Sequence, residues 1–394
     1  MLINLKDYIK TIESGKRPKG GAIESGIPSL GGEHIDNFGG LIISDSKMKY
    51  VPQDYYEKLN KGIIKKNDIL VVKDGATTGK VAIVDEKFTL PEACINEHLF
   101  ILRPKEQIKP KFLFYYFFSE VGKKEILKDF RGATVGGISK EFIDINLDIP
   151  SKDNQEKIIK VLDVAKNIID KRKAQIEALD ELVKSQFIEM FGDPITNSFD
   201  NKTKQLKEVA KLERGKFTPR PRNDPKYFNG EFPFIQTGDI SRSNHRLSNY
   251  SSTLNEEGIK VSKKFDSGTV VIALVGATIG MTAILEREVY ATDSIVGITV
   301  YDNVIDNIFL EMLLRAWREP LLDMAPEAAR ANINIGILEK LPIILPDIKE
   351  QKKFASFVKQ VDKLKFEMEK SLKDLEDNFN SLMQKAFNGQ LFNK

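Results

Sequence analysis

The stretch "KDGATTGK", Lys73 to Lys80, occurs a second time in the chain as "LVGATIGM", Leu274 to Met281. The first copy looks like a phosphate-binding glycine loop. The Walker pattern, however, needs four residues between its glycines and a serine or threonine after the lysine. Here only three residues separate Gly75 from Gly79, Val81 follows the lysine, and the second copy has methionine in the lysine's place. A glycine turn between two strands therefore fits both copies better than a phosphate loop.

Three further stretches recur in the same order, so the chain is two copies of one unit of roughly 200 residues. They are "LKDYIKTIESGK" (5–16) with "LKEVAKLERGK" (206–216), "IPSLGGEHI" (27–35) with "FPFIQTGDI" (232–240), and "LDIPSKDNQEK" (147–157) with "IILPDIKEQKK" (343–353). The distance between the copies varies up to Pro150 and Pro346 and is constant after them. This pattern is typical of a variable reading domain on a spacer of fixed length.

Composition excludes several classes of protein. The 394 residues are 41% hydrophobic and 30% charged, as in an ordinary globular protein, and 60 basic against 57 acidic residues leave a net charge of +3. Cys94 is the single cysteine, and the three histidines are scattered, so neither a disulfide nor a metal-ligand pattern is expected. Lys6 and Asp7 interrupt any signal peptide, and the uncharged run 269–285 has a charged earlier copy. We expect a reduced, cytoplasmic protein without a membrane span.

Each copy ends in a long segment whose apolar residues alternate at three and four positions, which predicts a coiled-coil seam. The first seam comprises Ile158, Leu162, Ala165, Ile169, Ile176, Leu179, Val183 and Met190, and the second comprises Phe354, Val358, Val361, Met368, Leu372, Leu375, Phe379, Leu382 and Ala386. Arg172 and Gln186 break the first seam, and Lys365 breaks the second. The alternative is that each helix packs on its own globular domain, which predicts a broader apolar face.

The ends of these helices are also marked in the sequence. Pro150 and Pro346 stop the preceding strands, and capping boxes are predicted for Asp153 with Glu156 and for Asp347 with Glu350. The stretches "FGDP" (191–194) and "FNGQ" (387–390) supply helix-ending glycines.

Before each long helix, apolar runs separated by Gly, Pro and Asn predict a mainly antiparallel sheet. Examples are "DILVV" (68–72) and "TVVIAL" (269–274). Short helices are predicted within 109–127 and 307–317. The first of these contains the aromatic run 112–118, whose helical spacing favours core packing over base stacking.

The sequence contains no convincing enzyme motif. The chain has no Asn/Asp-Pro-Pro-aromatic tetrapeptide, no glycine-rich dinucleotide fingerprint and no His-Glu-x-x-His. The stretch "PDIKEQK" (346–352) resembles the acidic cluster of restriction nucleases. Asp347 is better explained as a helix cap, because the first copy has Ser151 at the equivalent place.

The functional signal lies in basic loops at matching places of the two copies. Such side chains suit DNA phosphates, and arginine also reads guanine through two hydrogen bonds. The candidates in the first copy are Lys16, Arg17, Lys19, Lys80 and Arg131, and those in the second copy are Arg214, Lys216, Arg220, Arg222, Arg242, Arg246 and Arg330. His245 lies in the second basic loop of the second copy. Lys73, at the other end of the glycine stretch from Lys80, is a further candidate for a phosphate contact.

The chain resembles the specificity subunits of type I restriction-modification systems. The resemblance is carried by "GKFTPRPRNDPKYFNGEFPFIQTGDI" (215–240), the paired glycine turns, the two helix starts and the ending "NSLMQKAFNGQLF" (380–392), in this order along the whole chain. It implies an α+β fold with two tandem mixed α/β target recognition domains and two long helices pairing as an antiparallel coiled coil about a pseudo-twofold axis. The expected boundaries are 1–150 and 204–346 for the recognition domains, 151–192 and 347–394 for the spacer helices, and 193–203 for the linker.

The resemblance also implies partners. Each recognition domain would read one half of a split target in double-stranded DNA. Two modification subunits, which hold S-adenosylmethionine and methylate adenine, would dock on the chain, and two restriction subunits using ATP and Mg²⁺ can join them. The chain itself would hold no cofactor and catalyse nothing. Because the reading loops of the two copies differ, we expect an asymmetric target. Two reading domains on one face of DNA also need half-sites about one helical turn apart, about 34–36 Å between centres.

Three alternatives stay open on the sequence alone. One is the specificity component of a related system whose restriction and methylation functions share one polypeptide. Another is a coiled-coil scaffold that binds protein through these loops, which predicts no salt-dependent DNA binding. The third is a nucleotide-dependent enzyme, which predicts ATP binding.

Overall fold

The computed structural model describes residues 2–44, 48–132, 136–324 and 332–391. By compactness the chain divides into two units, each of which contains one copy of the strand region and one part of each long helix. Unit 1 comprises Met1–Ala174 and Lys370–Lys394, and unit 2 comprises Gln175–Glu369. Within the described ranges, none of the helices combines the length and apolar character that crossing a bilayer requires.

Unit 1 contains three small sheets, in the orders β2-β8-β5-β6, β4-β3-β7 and β1-β9. Neighbouring strands are antiparallel except β3 and β7. The strands are β1 Leu2–Asn4, β2 Ile9–Ser14, β3 Ile27–Leu30, β4 Tyr50–Val51, β5 Ile69–Val72, β6 Val81–Ile83, β7 Cys94–Ile95, β8 Leu99–Pro104 and β9 Asn146–Asp148. The helices are α1 Gln53–Glu57, α2 Pro110–Phe118, α3 Glu120–Leu127 and α4 Lys152–Phe191, of which α4 continues into unit 2.

Unit 2 repeats this plan with one more strand in each of its two larger sheets, in the orders β11-β19-β16-β17-β13, β14-β12-β18-β15 and β10-β20. Its strands are β10 Thr203–Gln205, β11 Ala210–Arg214, β12 Phe228–Ile235, β13 Arg246–Leu247, β14 Ser252–Leu254, β15 Lys263–Phe265, β16 Val270–Ala273, β17 Thr282–Leu285, β18 Val289–Ala291, β19 Ile295–Val300 and β20 Pro342–Ile344. Its helices are α5 Leu206–Val209, α6 Thr237–Arg242, α7 Glu256–Lys260, α8 Asn307–Ala316, α9 Arg318–Asp323, α10 Ile335–Glu339 and α11 Ile348–Phe387, of which α11 continues into unit 1.

The repeated glycine stretches are turns between antiparallel strands, as predicted. One joins β5 to β6 and the other joins β16 to β17. Gly75, Gly79, Gly276 and Gly280 all have positive φ angles, between 56° and 95°, a backbone conformation that other residues rarely adopt. The turn therefore occurs twice for a conformational reason.

The aromatic run in α2 belongs to the core of unit 1, which confirms the prediction of core packing. Six consecutive residues from Phe112 to Phe117 are at most 3% exposed. The aromatic rings of this run pack against one another and, in tilted or edge-on orientations, against Phe379 and Phe387 of the C-terminal part of α11. They are closed off from any base that could stack on them.

Both long helices begin one residue after a polar cap, and the cap of the second helix is the predicted residue. Asp347 accepts the Lys349 N–H at 2.7 Å, as expected of a cap. In the first copy the cap is Ser151, whose hydroxyl accepts the Asn154 N–H at 3.3 Å. The prediction for Asp153 was wrong by two residues, because Ser151 occupies the place equivalent to Asp347 and the helix begins directly after it.

A buried glutamine fastens each helix start to the preceding domain. Gln155 is 1% exposed and Gln351 is 0% exposed, and they are equivalent in the repeat. The side-chain oxygen of Gln351 accepts the Asp306 N–H at 3.0 Å, and its nitrogen donates to the carbonyls of Val304 and Pro346. Gln155 makes the same set of bonds in unit 1. The first turn of each helix is thereby fixed against its own unit.

The long helices contribute a broad apolar face to the core of each unit. In unit 2 this face includes Phe187 and Phe191 of α4 and Phe354 and Ala355 of α11, packed against Phe309. This matches the alternative in which each helix packs on a globular domain.

The two helices also contact each other within each unit. In unit 1, Lys173 of α4 pairs with Glu376 of α11 at 3.0 Å. In unit 2, the seam-breaking Lys365 of α11 is 8% exposed and donates to both carboxylate oxygens of Asp180 at 2.6 and 2.7 Å. An antiparallel coiled coil along the whole of both helices stays a prediction.

Candidate nucleic-acid interface

The basic loop of each unit begins at a glycine. Gly15 follows β2, and a Cβ added to it would lie 2.1 Å from the carbonyl oxygen of Asn96. Gly215 follows β11 and would meet the carbonyl oxygen of Thr292 at the same distance. Only glycine allows so close an approach of two backbones. The basic loop therefore begins against the turn after β7 in unit 1 and after β18 in unit 2.

In unit 1 the basic loop and this turn form one cleft of about 770 Å³. Lys16, Arg17 and Lys19 are exposed. Lys16 and Arg17 line the cleft, and the Arg17 guanidinium lies 3.6 Å from the carboxylate of Glu97 in the turn. Lys49, which also lines the cleft, pairs with Glu33 at 3.0 Å. The cleft thus presents several cations whose nearest counter-ions are carboxylates in its own walls.

The glycine turn and the loop that holds Arg131 join this surface. The ring of His98, next to Glu97, hydrogen-bonds the carboxylate of Asp74 in the glycine turn. Asp74 and Arg131 each form a β-bridge with Gly137. Arg131 is 79% exposed at its side chain, and its only described ion pair is with Asp129 at 3.3 Å. Three chain segments that are far apart in sequence therefore meet at one edge of unit 1.

Unit 2 gathers its arginines around one carboxylate. Asp293 lies in the turn after β18, and its Oδ2 accepts from Arg222 at 2.9 Å and lies 3.9 Å from the Arg220 guanidinium. Its backbone carbonyl accepts from Arg214. Arg220 and Arg222 nonetheless keep 58% and 49% of their side-chain surface exposed. Arg222 donates one N–H to Asp293, and Arg220 donates through Nη1 to the carbonyls of Phe217 and Pro219.

An aromatic cluster holds this loop in place. Phe217 is 2% exposed, and its ring packs against those of Tyr227, Phe228 and Phe234 at centroid distances of 5.0 to 6.2 Å. The neighbouring Lys216 is exposed. The inward-facing phenylalanine alternates with outward-facing basic residues, so the basic side chains point toward solvent.

The second basic loop divides between two environments. Arg242 is 66% exposed and pairs with the buried Asp239 at 2.9 Å. Arg246 is only 20% exposed, and it pairs with Asp362 of α11 at 2.8 Å. The geometry therefore gives Arg242 access to a ligand and gives Arg246 a structural contact to the long helix.

The one remaining predicted residue that the structure describes is Lys80. Lys80 lines a separate cleft of about 350 Å³ with Phe117, Phe118 and Lys123. Arg330 lies outside the described residues.

Glu97 and Asp293 are two acidic residues beside the basic loops that the sequence analysis did not single out. They are equivalent in the repeat, and each faces the basic loop of its own unit. An acidic residue at the same place in two loops that otherwise differ was the signal available in the sequence.

A buried carboxylate network supports the sheet beneath this surface in unit 2. Glu311 of α8 is 0% exposed and accepts from Arg315, from Thr282 at 2.8 Å and from the ring of His245 at 3.0 Å. Burial raises the pKa of this carboxyl, but the charge of Arg315 and the bond to His245 outweigh it and lower the pKa to about 2. His245 therefore has a structural contact with α8 within unit 2.

No metal site is apparent in the described ranges. Among residues 2–44, 48–132, 136–324 and 332–391, no group of three or more His, Cys, Asp or Glu side chains is placed to hold a metal ion. The single cysteine, Cys94, is free and buried.

Residues 26–178 and 199–376 each match the family described as the type I restriction modification DNA specificity domain. The chain belongs to this family. The two matches follow the internal repeat, and the resemblance seen in the sequence is confirmed. The chain is the specificity subunit of a type I restriction-modification system, and its two tandem domains fit recognition of a bipartite target.

Similar proteins share this arrangement over nearly their whole length. The chain is 22% identical to the type I restriction enzyme MjaIX specificity subunit of Methanocaldococcus jannaschii over 390 residues, which are 93% of this chain and 87% of that protein. Its structure is similar to that of a type I S subunit from M. genitalium, with a TM-score of 0.54, 16% identity and coverage of 98% and 96% of the two chains. A second structure, described for assembly and conformational transition of the type I R-M system, has a TM-score of 0.60, 16% identity and coverage of 99% and 98%.

These structural similarities show the fold of the specificity subunit. They confirm the predicted class, which combines helices and sheets in two repeated domains. Which side chains of this specificity subunit contact DNA stays a prediction.

Proposed function

We propose that each unit of this specificity subunit reads one half of an asymmetric bipartite DNA target through its basic loop. In unit 1 the reading side chains are Lys16, Arg17 and Lys19, with Arg131 on the adjoining loop. In unit 2 they are Arg214, Lys216, Arg220, Arg222 and Arg242. Arg246 and Lys80 are left out of the reading set because of their positions.

One observation carries this proposal. Both copies place the same two backbone features together, namely a basic loop that starts at a glycine and a turn that bears an acid. The side chains on this frame differ between the copies in number, spacing and type. A shared frame with different donors supports recognition of two different base sequences.

The partners follow from membership of the family. We expect two modification subunits, which hold S-adenosylmethionine, and two restriction subunits, which use ATP and Mg²⁺, to assemble on the specificity subunit in the cytoplasm. The long helices offer exposed apolar side chains for such contacts, among them Val164, Ile168 and Phe366, which are 61%, 45% and 65% exposed. We expect this chain to supply recognition and no catalytic group.

A methylation map tests the proposal. The chain is co-expressed with its modification subunit in a host free of DNA methylation, and methylated adenines are mapped across the genome. The expected result is a split motif whose two halves differ. A palindrome, or a single continuous motif, contradicts the proposal.

A stable complex that methylates nothing also contradicts it, and would favour the scaffold alternative. In that case binding of the complex to DNA should not depend on salt.

A further inference from the structure

Asp293 contacts Arg214, Arg220 and Arg222, the arginines of unit 2 to which the proposed function assigns DNA reading. Its Oδ2 contacts Arg222 at 2.9 Å and lies 3.9 Å from Arg220, and its carbonyl oxygen accepts from Arg214 at 2.5 Å. Its other carboxylate oxygen, Oδ1, is buried and has no hydrogen-bond partner among the described residues. Among the described residues, the ion pairs of this carboxylate are with Arg220 and Arg222.

The same arrangement occurs independently in unit 1. Glu97 is equivalent to Asp293, follows the same glycine contact and lies 3.6 Å from Arg17. The loops themselves differ in length and composition, so this acid is a feature that two divergent surfaces have in common. A side chain that only supported one loop would have no reason to be acidic in both.

A carboxylate in this position affects phosphates and bases differently. A phosphate is an anion, and it must displace or approach Asp293 in order to bind the same guanidinium. A guanine presents neutral acceptors, and arginine has five N–H donors, of which Arg222 uses one on Asp293. Arg222 can therefore bind guanine without leaving the carboxylate. Holding the side chain in advance also lowers the entropic cost of that contact.

We infer that Asp293 is a specificity-determining residue, which positions Arg222 for base reading and opposes the binding of phosphates of non-target DNA. The inference rests on the proposed function, in which unit 2 reads one half-site. By the same argument, Glu97 positions Arg17 and opposes phosphate binding in unit 1.

The test uses the complex of the full chain with its modification subunit. Binding is measured on a duplex that carries the mapped target and on one in which the half assigned to unit 2 is scrambled. Asp293→Asn should bind the scrambled duplex more tightly, with a steeper dependence on salt, and the target-to-scrambled ratio should fall about tenfold. The control is Asp266→Asn, which makes the same charge change at a side chain that is 84% exposed in the same unit. The control should leave the ratio unchanged.

Two further variants keep the test decisive. Asp293→Glu retains the charge and should restore most of the ratio, which a purely structural role for the aspartate does not predict. In the Arg222→Ala background, Asp293→Asn should lower the ratio little further, because the two residues act together.

The outcomes separate the inference from the proposed function. An unchanged ratio in a folded Asp293→Asn complex overturns the inference alone. A wild-type complex that does not distinguish the two duplexes overturns the proposed reading of the half-site by unit 2, and the inference with it.

Discussion

At the scale of single residues, the candidate site depends on glycines that bring two backbone segments close enough for charged side chains to meet. Gly15 and Gly215 permit a backbone contact, and Glu97 and Asp293 then lie within reach of the arginines that follow. The basic residues could be named from the sequence, because charge in a loop after a repeated glycine is visible there. Their counter-ions could not, since each lies about eighty residues away along the chain and meets the arginines only through strand pairing.

Gly215→Ala should destabilise unit 2. The added Cβ would lie 2.1 Å from the Thr292 carbonyl oxygen. Because both sides of this contact are backbone segments, neither can move away without a cost in free energy. We expect a loss of roughly 1–3 kcal/mol, as for overpacking elsewhere. Urea unfolding followed by fluorescence of Trp317, the one tryptophan of the chain and a residue of unit 2, measures it.

The matched control for this substitution is Gly238→Ala in α6. There a Cβ would meet only the flexible end of the Arg242 side chain, at 3.1 Å. The stability of unit 2 should change by less than about 1 kcal/mol. Equal effects of the two substitutions would contradict the role assigned to Gly215.

Glu311 should make the stability of unit 2 depend on acid pH. Its pKa is about 2 in the folded protein against 4.5 as the ordinary value, so its stabilising contribution is complete above pH 4.5 and is lost as pH falls toward 2. The difference corresponds to about 3 kcal/mol. Trp317 fluorescence in urea, recorded at pH 5 and pH 3, should show a larger loss for the wild type than for Glu311→Gln. Parallel losses would show that the carboxylate is not the responsible group.

At the scale of secondary structure elements, the long helices were the most predictable part of the fold. The seam positions, the prolines before them and the glycines after them are all local features of the sequence. The cap of α4 was misplaced because Ser151, Asp153 and Asn154 stand within four positions of one another, and local sequence does not fix which of them precedes the first turn. The broad apolar face also depends on partners from other elements, such as Phe309.

Gln351 joins a helix to a domain, and removing its amide should destabilise unit 2. Gln351→Leu leaves the Asp306 N–H and the Pro346 carbonyl without their side-chain partner in a buried place. We expect a cost of about 1–3 kcal/mol. Lys352→Ala, one residue along on the exposed side of α11, is the matched control and should have little effect. Trp317 fluorescence in urea compares the two, and a neutral Gln351→Leu variant would disprove the role of the amide.

At the scale of the whole molecule, the internal repeat made the architecture readable. Two copies of one unit predict two domains of the same fold, and the constant spacing after Pro150 and Pro346 separates the part that varies from the part that does not. The sequence could not show that the basic loop, the turn with the acid, the glycine turn and the Arg131 loop meet at one edge. That convergence follows from the strand order, which pairs β2 with β8 and β8 with β5.

The central claim is that each unit reads its own half of the target. The most direct measurement compares the methylated motif of the wild-type complex with those of two double variants, Arg17→Ala with Lys19→Ala in unit 1 and Arg220→Ala with Arg222→Ala in unit 2. Lys260→Ala, an exposed lysine paired with Glu257, serves as control. We predict that each double variant relaxes the motif in one half, a different half for each, and that the control changes neither. Loss of both halves together, or of neither, in complexes that still assemble would contradict the claim.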